Sequence, residues 1–139
     1  MNQLLQFMGN HAILFGVFFA MLGALTWTVL GSAGSQKISP AAATRLINDE
    51  DALVLDVRSE GEFNEGHIVN ALHISFNDLT NRLDKLEKYR NKSIIPVCRT
   101  GQQSSVAASQ LKKSGFENVR SVSGGILAWQ EANLPLTRK

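Results

Sequence analysis

The chain has 139 residues, with 14 Lys and Arg against 12 Asp and Glu for a net charge of +2, and no basic block is dense enough to track a nucleic acid backbone. Its one cysteine excludes an intrachain disulfide and suits a reducing compartment, where a free thiol survives. No His or Cys cluster has metal-ligand spacing, and no cofactor is expected.

Residues 1–11 form an N-terminal flank without Lys, Arg, Asp or Glu, and residues 12–30 hold no ionisable side chain at all. At about 1.5 Å per residue the second stretch makes a helix of roughly 28 Å, close to the roughly 30 Å hydrocarbon core of a bilayer, so a transmembrane helix is predicted there. Trp27, between Thr26 and Thr28, suits the interface at one end. Gly31-Ser32-Ala33 resembles a signal cleavage site, but the positive leader is missing and the apolar run exceeds the about 7–15 residues of a signal core. A retained anchor is the reading. Lys37 and Arg45 follow the segment and no Lys or Arg precedes it, which predicts a single-pass protein of a bacterial inner membrane, N-terminus outside and domain cytoplasmic. Gly16, Ala20 and Ala24 repeat at four-residue spacing, as they would to meet a membrane-protein partner or a second copy. Ordinary membrane-helix composition produces the same pattern.

Residues 31–36 are small and polar and read as a flexible linker. Residues 37–139 hold every Lys, Arg, Asp and Glu, enough for one domain with one core. A short strand is predicted at 36–38. Ser39 caps a helix that begins at Pro40 and ends near Asn48. The apolar run 53–57 reads as a buried parallel strand, 60–65 as a short helix closed by Gly66, and 71–74 as a third strand. Leu79, Leu83 and Leu86 predict a helix starting at Asn77 or Asp78. A strand at 94–97, a helix from Ser104 to Lys113 stopped by Gly115, a strand at 119–122 and a helix at 126–133 complete the chain. Strand and helix alternate, which predicts an α/β fold: a parallel sheet of about five strands flanked by helices.

Within this frame the strand 94–97 delivers Cys98 into Arg99-Thr100-Gly101-Gln102-Gln103, and a helix follows at once. Such a turn points several backbone N–H groups into one bowl and adds the positive end of the helix. A thiolate gains from both what a neutral thiol does not, so Cys98 is the candidate nucleophile.

From about Gln36 to Leu136 the chain resembles a rhodanese-homology domain. Three blocks carry the likeness: Asp56-Val57-Arg58 with Glu62-Phe63 and Gly66-His67-Ile68; Cys98-Arg99-Thr100-Gly101 with Ser104; and Gly124-Gly125-Ile126 with Ala128-Trp129 and Leu134-Pro135. The resemblance implies a sulfurtransferase in which Cys98 takes sulfur from a small donor such as thiosulfate or a persulfide and passes it to a thiol or cyanide. The amides of Arg99, Thr100, Gly101, Gln102, Gln103 and Ser104 would hold the anion. It also implies that a six-residue loop, 98–103, serves sulfur chemistry, where related phosphatases use one residue more. Asp56, Arg58 and Glu62 are expected to form a polar link holding the second strand to its loop, and His67 to be a hydrogen-bonded structural residue.

Three positions depart from the family pattern. Gln103 stands where many members have Arg, so an anionic donor would bind less well. Asn70 replaces the Gly usual before Ala71, and Pro96 is unexpected in a central strand, where it is placed near the point of departure from the sheet. An alternative reading follows from Gln103, Pro96 and the anchor: a catalytically silent module acting as a membrane-bound interaction partner.

Overall fold

In the computed structural model, which describes residues 1–31 and 36–138, the chain divides into an N-terminal helical unit and an α/β unit. The first holds α1 (Asn2–Asn10) and α2 (Ala12–Gly31), separated at His11, whose backbone leaves helical values (φ −121°, ψ 31°). Most of the N-terminal flank is therefore helical. Over Ala12–Val29 the mean hydropathy is 2.0 and none of the residues is buried, so α2 is long and apolar enough to cross a membrane. Gly16, Ala20 and Ala24 are exposed on it. The linker expected at 31–36 loses Gly31 to α2 and Gln36 to the first strand; the rest of it, 32–35, lies outside the described residues.

The α/β unit contains β1 (Gln36–Ile38), α3 (Pro40–Glu50), β2 (Leu53–Asp56), α4 (Glu60–Glu65), β3 (Leu72–His73), a 3₁₀ segment (Leu79–Tyr89), β4 (Ile94–Val97), α5 (Gln102–Lys113), β5 (Arg120–Val122) and α6 (Gly125–Glu131). Local chemistry sets several boundaries. Ser39 Oγ accepts the Ala42 N–H at 3.1 Å ahead of Pro40, and Ser59 Oγ accepts that of Glu62 at 3.3 Å. Asn70 takes the left-handed conformation (φ 63°) that Gly would otherwise supply.

All strand pairs are parallel, in the order β3-β2-β4 and β5-β1. Among the described residues the two parts are joined by one isolated bridge, Ile94 to Val119, with the Ile94 N–H donating to the Asn118 carbonyl at 2.8 Å. The five strands thus form a three-plus-two arrangement. Pro96 gives the physical reason. It sits in β4 opposite Leu55, one residue before the strand ends at Val97. In a parallel ladder alternate residues face alternate neighbours, so Pro96 faces β5 as Ile94 does and has no N–H to continue that pairing.

Two apolar layers cover the sheet. Leu55, Ile74, Ile94, Ala107, Ala108, Leu111 and Phe116 pack on one face, beneath α5 and the 3₁₀ segment. Val54, Ile95, Val97, Ala43, Ile126 and Trp129 pack on the other, beneath α3 and α6. A fully buried side chain such as Leu111 contributes about 1.5–3 kcal/mol. The segment with Leu79, Leu83 and Leu86 is helical, but of 3₁₀ type and in two pieces that meet at the non-helical Arg82 (φ −121°, ψ 22°).

Candidate active site

β4 ends at Val97 and places Cys98 at the carboxyl end of a central strand, immediately ahead of α5. The thiol is buried, 2% exposed, against the α5 side of the core. The Gly101 N–H donates to Sγ at 3.0 Å, and the thiol donates to Ser104 Oγ at 3.5 Å. Gly101 reaches this position at φ +97°, where a side chain would be strained. Its carbonyl accepts from Ser104 Oγ (3.1 Å), Ser105 Oγ (2.8 Å) and the Ser105 N–H (3.2 Å).

The rest of the loop is fixed from α6. The Ile126 N–H donates to the Cys98 carbonyl at 2.8 Å and that of Leu127 to the Arg99 carbonyl at 3.2 Å. With those carbonyls drawn toward α6, the loop folds back over the thiol. The approach requires Gly125 (φ +60°): a Cβ there would lie 2.7 Å from the Arg99 carbonyl oxygen and closer still to that of Cys98. Gly101 packs against Gly124 in the same contact, where an added Cβ would stand 3.3 Å from the Gly124 nitrogen.

Cys98, Gly101 and Ser104 are brought together. Arg99, Thr100, Gln102 and Gln103 are exposed, and among the described residues the Gly101 amide is the one backbone donor bonded to Sγ. Arg99 and Gln103 line different cavities.

Asp56 and Arg58 form a buried ion pair with Nη2 to Oδ2 at 2.8 Å and Nε to Oδ1 at 3.0 Å; the Arg58 N–H also donates to Oδ1 at 3.0 Å, and Nη2 donates to the Gly66 carbonyl at 2.6 Å. Glu62 departs from the expected link. It sits in a capping arrangement with Ser59, whose Oγ lies 3.4 Å from its carboxylate. His67 Nδ1 lies 2.9 Å from the Phe63 carbonyl, its ring stacks on Phe63 at 3.9 Å, and its backbone bridges Thr137. On the other side of Phe63 stacks His73, whose Nε2 lies 2.8 Å from the Arg58 carbonyl.

The sequence reasoning did not single out the Ile126 and Leu127 amides, because backbone donors leave no residue-type signal.

The profile described as Rhodanese-like domain matches residues 39–132. The "Uncharacterized protein YibN" of Escherichia coli (strain K12) is 37% identical over 99% of both chains. The "Thiosulfate sulfurtransferase GlpE" of Pseudoalteromonas translucida is 36% identical, covering 68% of this chain and 89% of its own. The crystal structure of a rhodanese-related protein from Thermoplasma volcanium superposes with a TM-score of 0.68 at 31% identity, over 75% of this chain and 99% of that one.

Proposed function

The chain belongs to the rhodanese-like domain family, and from that premise we propose that it is a membrane-anchored sulfurtransferase passing sulfane sulfur through a persulfide on Cys98. The observation that carries the reading is the Cys98 thiol at the head of α5, with the Gly101 N–H aimed at its sulfur. The thiolate attacks the outer sulfur of thiosulfate, the S–S bond breaks, and sulfite leaves with the bonding pair. Attack on the outer sulfur of a persulfide releases a thiol in the same way. An acceptor thiolate or cyanide then takes the sulfur and regenerates Cys98.

Ser104 fits the change of charge. Its hydroxyl now donates to the Gly101 carbonyl, which keeps two donors from Ser105 if that hydroxyl turns to the thiolate. The anion therefore gains a donor without orphaning the carbonyl. The apolar α2 provides the anchor, with the domain on the cytoplasmic side by the distribution of Lys and Arg, and the face of Gly16, Ala20 and Ala24 meets a partner helix or a second copy.

The 2% exposure of Cys98 favours the second reading, a silent interaction module. Intact-mass measurement of the full chain in detergent separates the two. One sulfur gained on Cys98 from thiosulfate or a persulfide, and lost again to a thiol or cyanide, is the expected result. A folded protein that gains no sulfur from any donor overturns the enzyme reading.

A further inference from the structure

Beyond the carboxyl ends of β2 and β3 lies a cavity of about 610 Å³ that reaches the Cys98 loop at Gln103. Gln103 lines it from the Cys98 loop, Arg82 from the 3₁₀ segment, and Glu60, Glu62 and Asp78 bring carboxylates to it. Its size is that of a small-molecule site.

Arg82 is the one arginine of the lining. The 3₁₀ segment breaks at this residue, and Arg82 has no hydrogen bond or ion pair among the described residues. Arg45 and Arg99 share this, whereas Arg58, Arg90, Arg120 and Arg138 have partners; of the unpaired three, Arg82 is the one that lines this cavity. Two of the carboxylates are already held by hydroxyls: Ser75 Oγ donates to Asp78 at 2.9 Å, and Ser59 Oγ lies 3.4 Å from Glu62. These bonds orient the carboxylates and leave their charge in place.

The lining discriminates by charge. A dianion such as thiosulfate meets three carboxylates against one guanidinium, and Gln103 adds no cation. A simple cation meets Arg82. A ligand carrying both signs satisfies both. We propose that the cavity binds an amino-acid-type thiol, as its persulfide, with Arg82 taking the carboxylate and the Glu60, Glu62 and Asp78 group taking the ammonium. Arg82 is then a specificity-determining residue. The inference rests on the sulfurtransferase reading and names its donor class. In the step itself the Cys98 thiolate attacks the outer sulfur of the donor R–S–SH and the donor S–S bond breaks. The leaving thiolate takes the proton from the transferred sulfur, giving Cys98–S–S⁻ and R–SH with no net oxidation.

The test uses the full chain in detergent and follows sulfur loading of Cys98 by four donors: cysteine persulfide, N-acetylcysteine persulfide without the ammonium, cysteamine persulfide without the carboxylate, and thiosulfate. Cysteine persulfide is expected to exceed each of the others in kcat/KM by about tenfold, the scale of one lost charge-assisted hydrogen bond. R82Q should lower kcat/KM for cysteine and N-acetylcysteine persulfides, through KM, several-fold more than for cysteamine persulfide, with R82K restoring part of the loss. Equal rates for all persulfides, or an R82Q loss shared equally by every donor, overturns the proposal and leaves the sulfurtransferase reading intact. Binding of unreactive S-methylcysteine, read by calorimetry on wild type and R82Q, separates the two claims. R82Q-sensitive binding without sulfur loading by any donor supports the cavity site and sinks the enzyme, whereas no binding by wild type sinks the site.

Discussion

β2 and β4 run side by side, with Asp56 in register with Val97, yet their carboxyl ends use polar residues in opposite ways. At the end of β2 the Asp56 carboxylate and the Arg58 guanidinium are bonded to each other and to backbone groups, leaving little capacity for a ligand. At the end of β4 Cys98 has one amide and one hydroxyl, and that hydroxyl can be reassigned. The contrast teaches that residues of one signature separate by whether their bonding capacity is used inside the fold. Asp56 and Arg58 are spent on each other and on the backbone, while Cys98 keeps a donor that can turn.

The sharpest way to break this comparison is Cys98→Ser. Sulfur transfer should vanish while thermal unfolding stays within a few degrees of wild type, and retained transfer would assign the chemistry to another group. Arg58→Ala should do the reverse. It leaves the buried Asp56 charge unpaired and should cost about 3–5 kcal/mol in denaturant unfolding; a loss below about 1 kcal/mol would mean the pair is not a scaffold. Gly125→Ala lies between the two, because its Cβ would push on the carbonyls of the Cys98 loop. A stability loss of about 1–3 kcal/mol is expected, with a larger fall in transfer rate than the fold loses. Ser104→Ala should slow alkylation of Cys98 by iodoacetamide about tenfold at fixed pH, since the thiolate loses one donor. An unchanged rate would show that the hydroxyl does not turn.

The smallest effect belongs to the surface counterpart of the buried pair. The hydrogen bond from Arg90 holds the Glu87 carboxyl below its usual range. With the folded value below the unfolded one, the pair's contribution is present above the unfolded pKa and is lost as pH falls through the folded pKa. Glu87→Gln should leave the neutral-pH Tm nearly unchanged and flatten only the acid side of the Tm profile, because an exposed pair is screened by solvent.

Sequence patterns made much of the fold legible because they report local chemistry. Ser39-Pro40 fixed the start of α3, Gly115 the end of α5, and the apolar runs before Asp56 and Cys98 gave β2 and β4. Gly124 and Gly125, part of the third signature block, lie against the Cys98 loop. The leucines of the 3₁₀ segment misled, since spacings of three and four suit either helix type and the break at Arg82 has no residue signal. Glu62 misled differently. Its place in the signature suggested the buried link, while the Ser59 cap three residues earlier carried its actual role. The cavity with Arg82 was out of reach because it joins segments far apart in sequence.

Pro96 bears on how the molecule breathes. The strand trio carries the nucleophile, the β1–β5 pair leads directly into the α6 clamp, and one bridge joins the two along the sheet. Amide hydrogens of β1 and β5 should therefore exchange with solvent before those of β2 and β4. Each such opening would loosen the grip of Ile126 and Leu127 on the loop, tying access to the buried sulfur to the slow separation of two sheet halves.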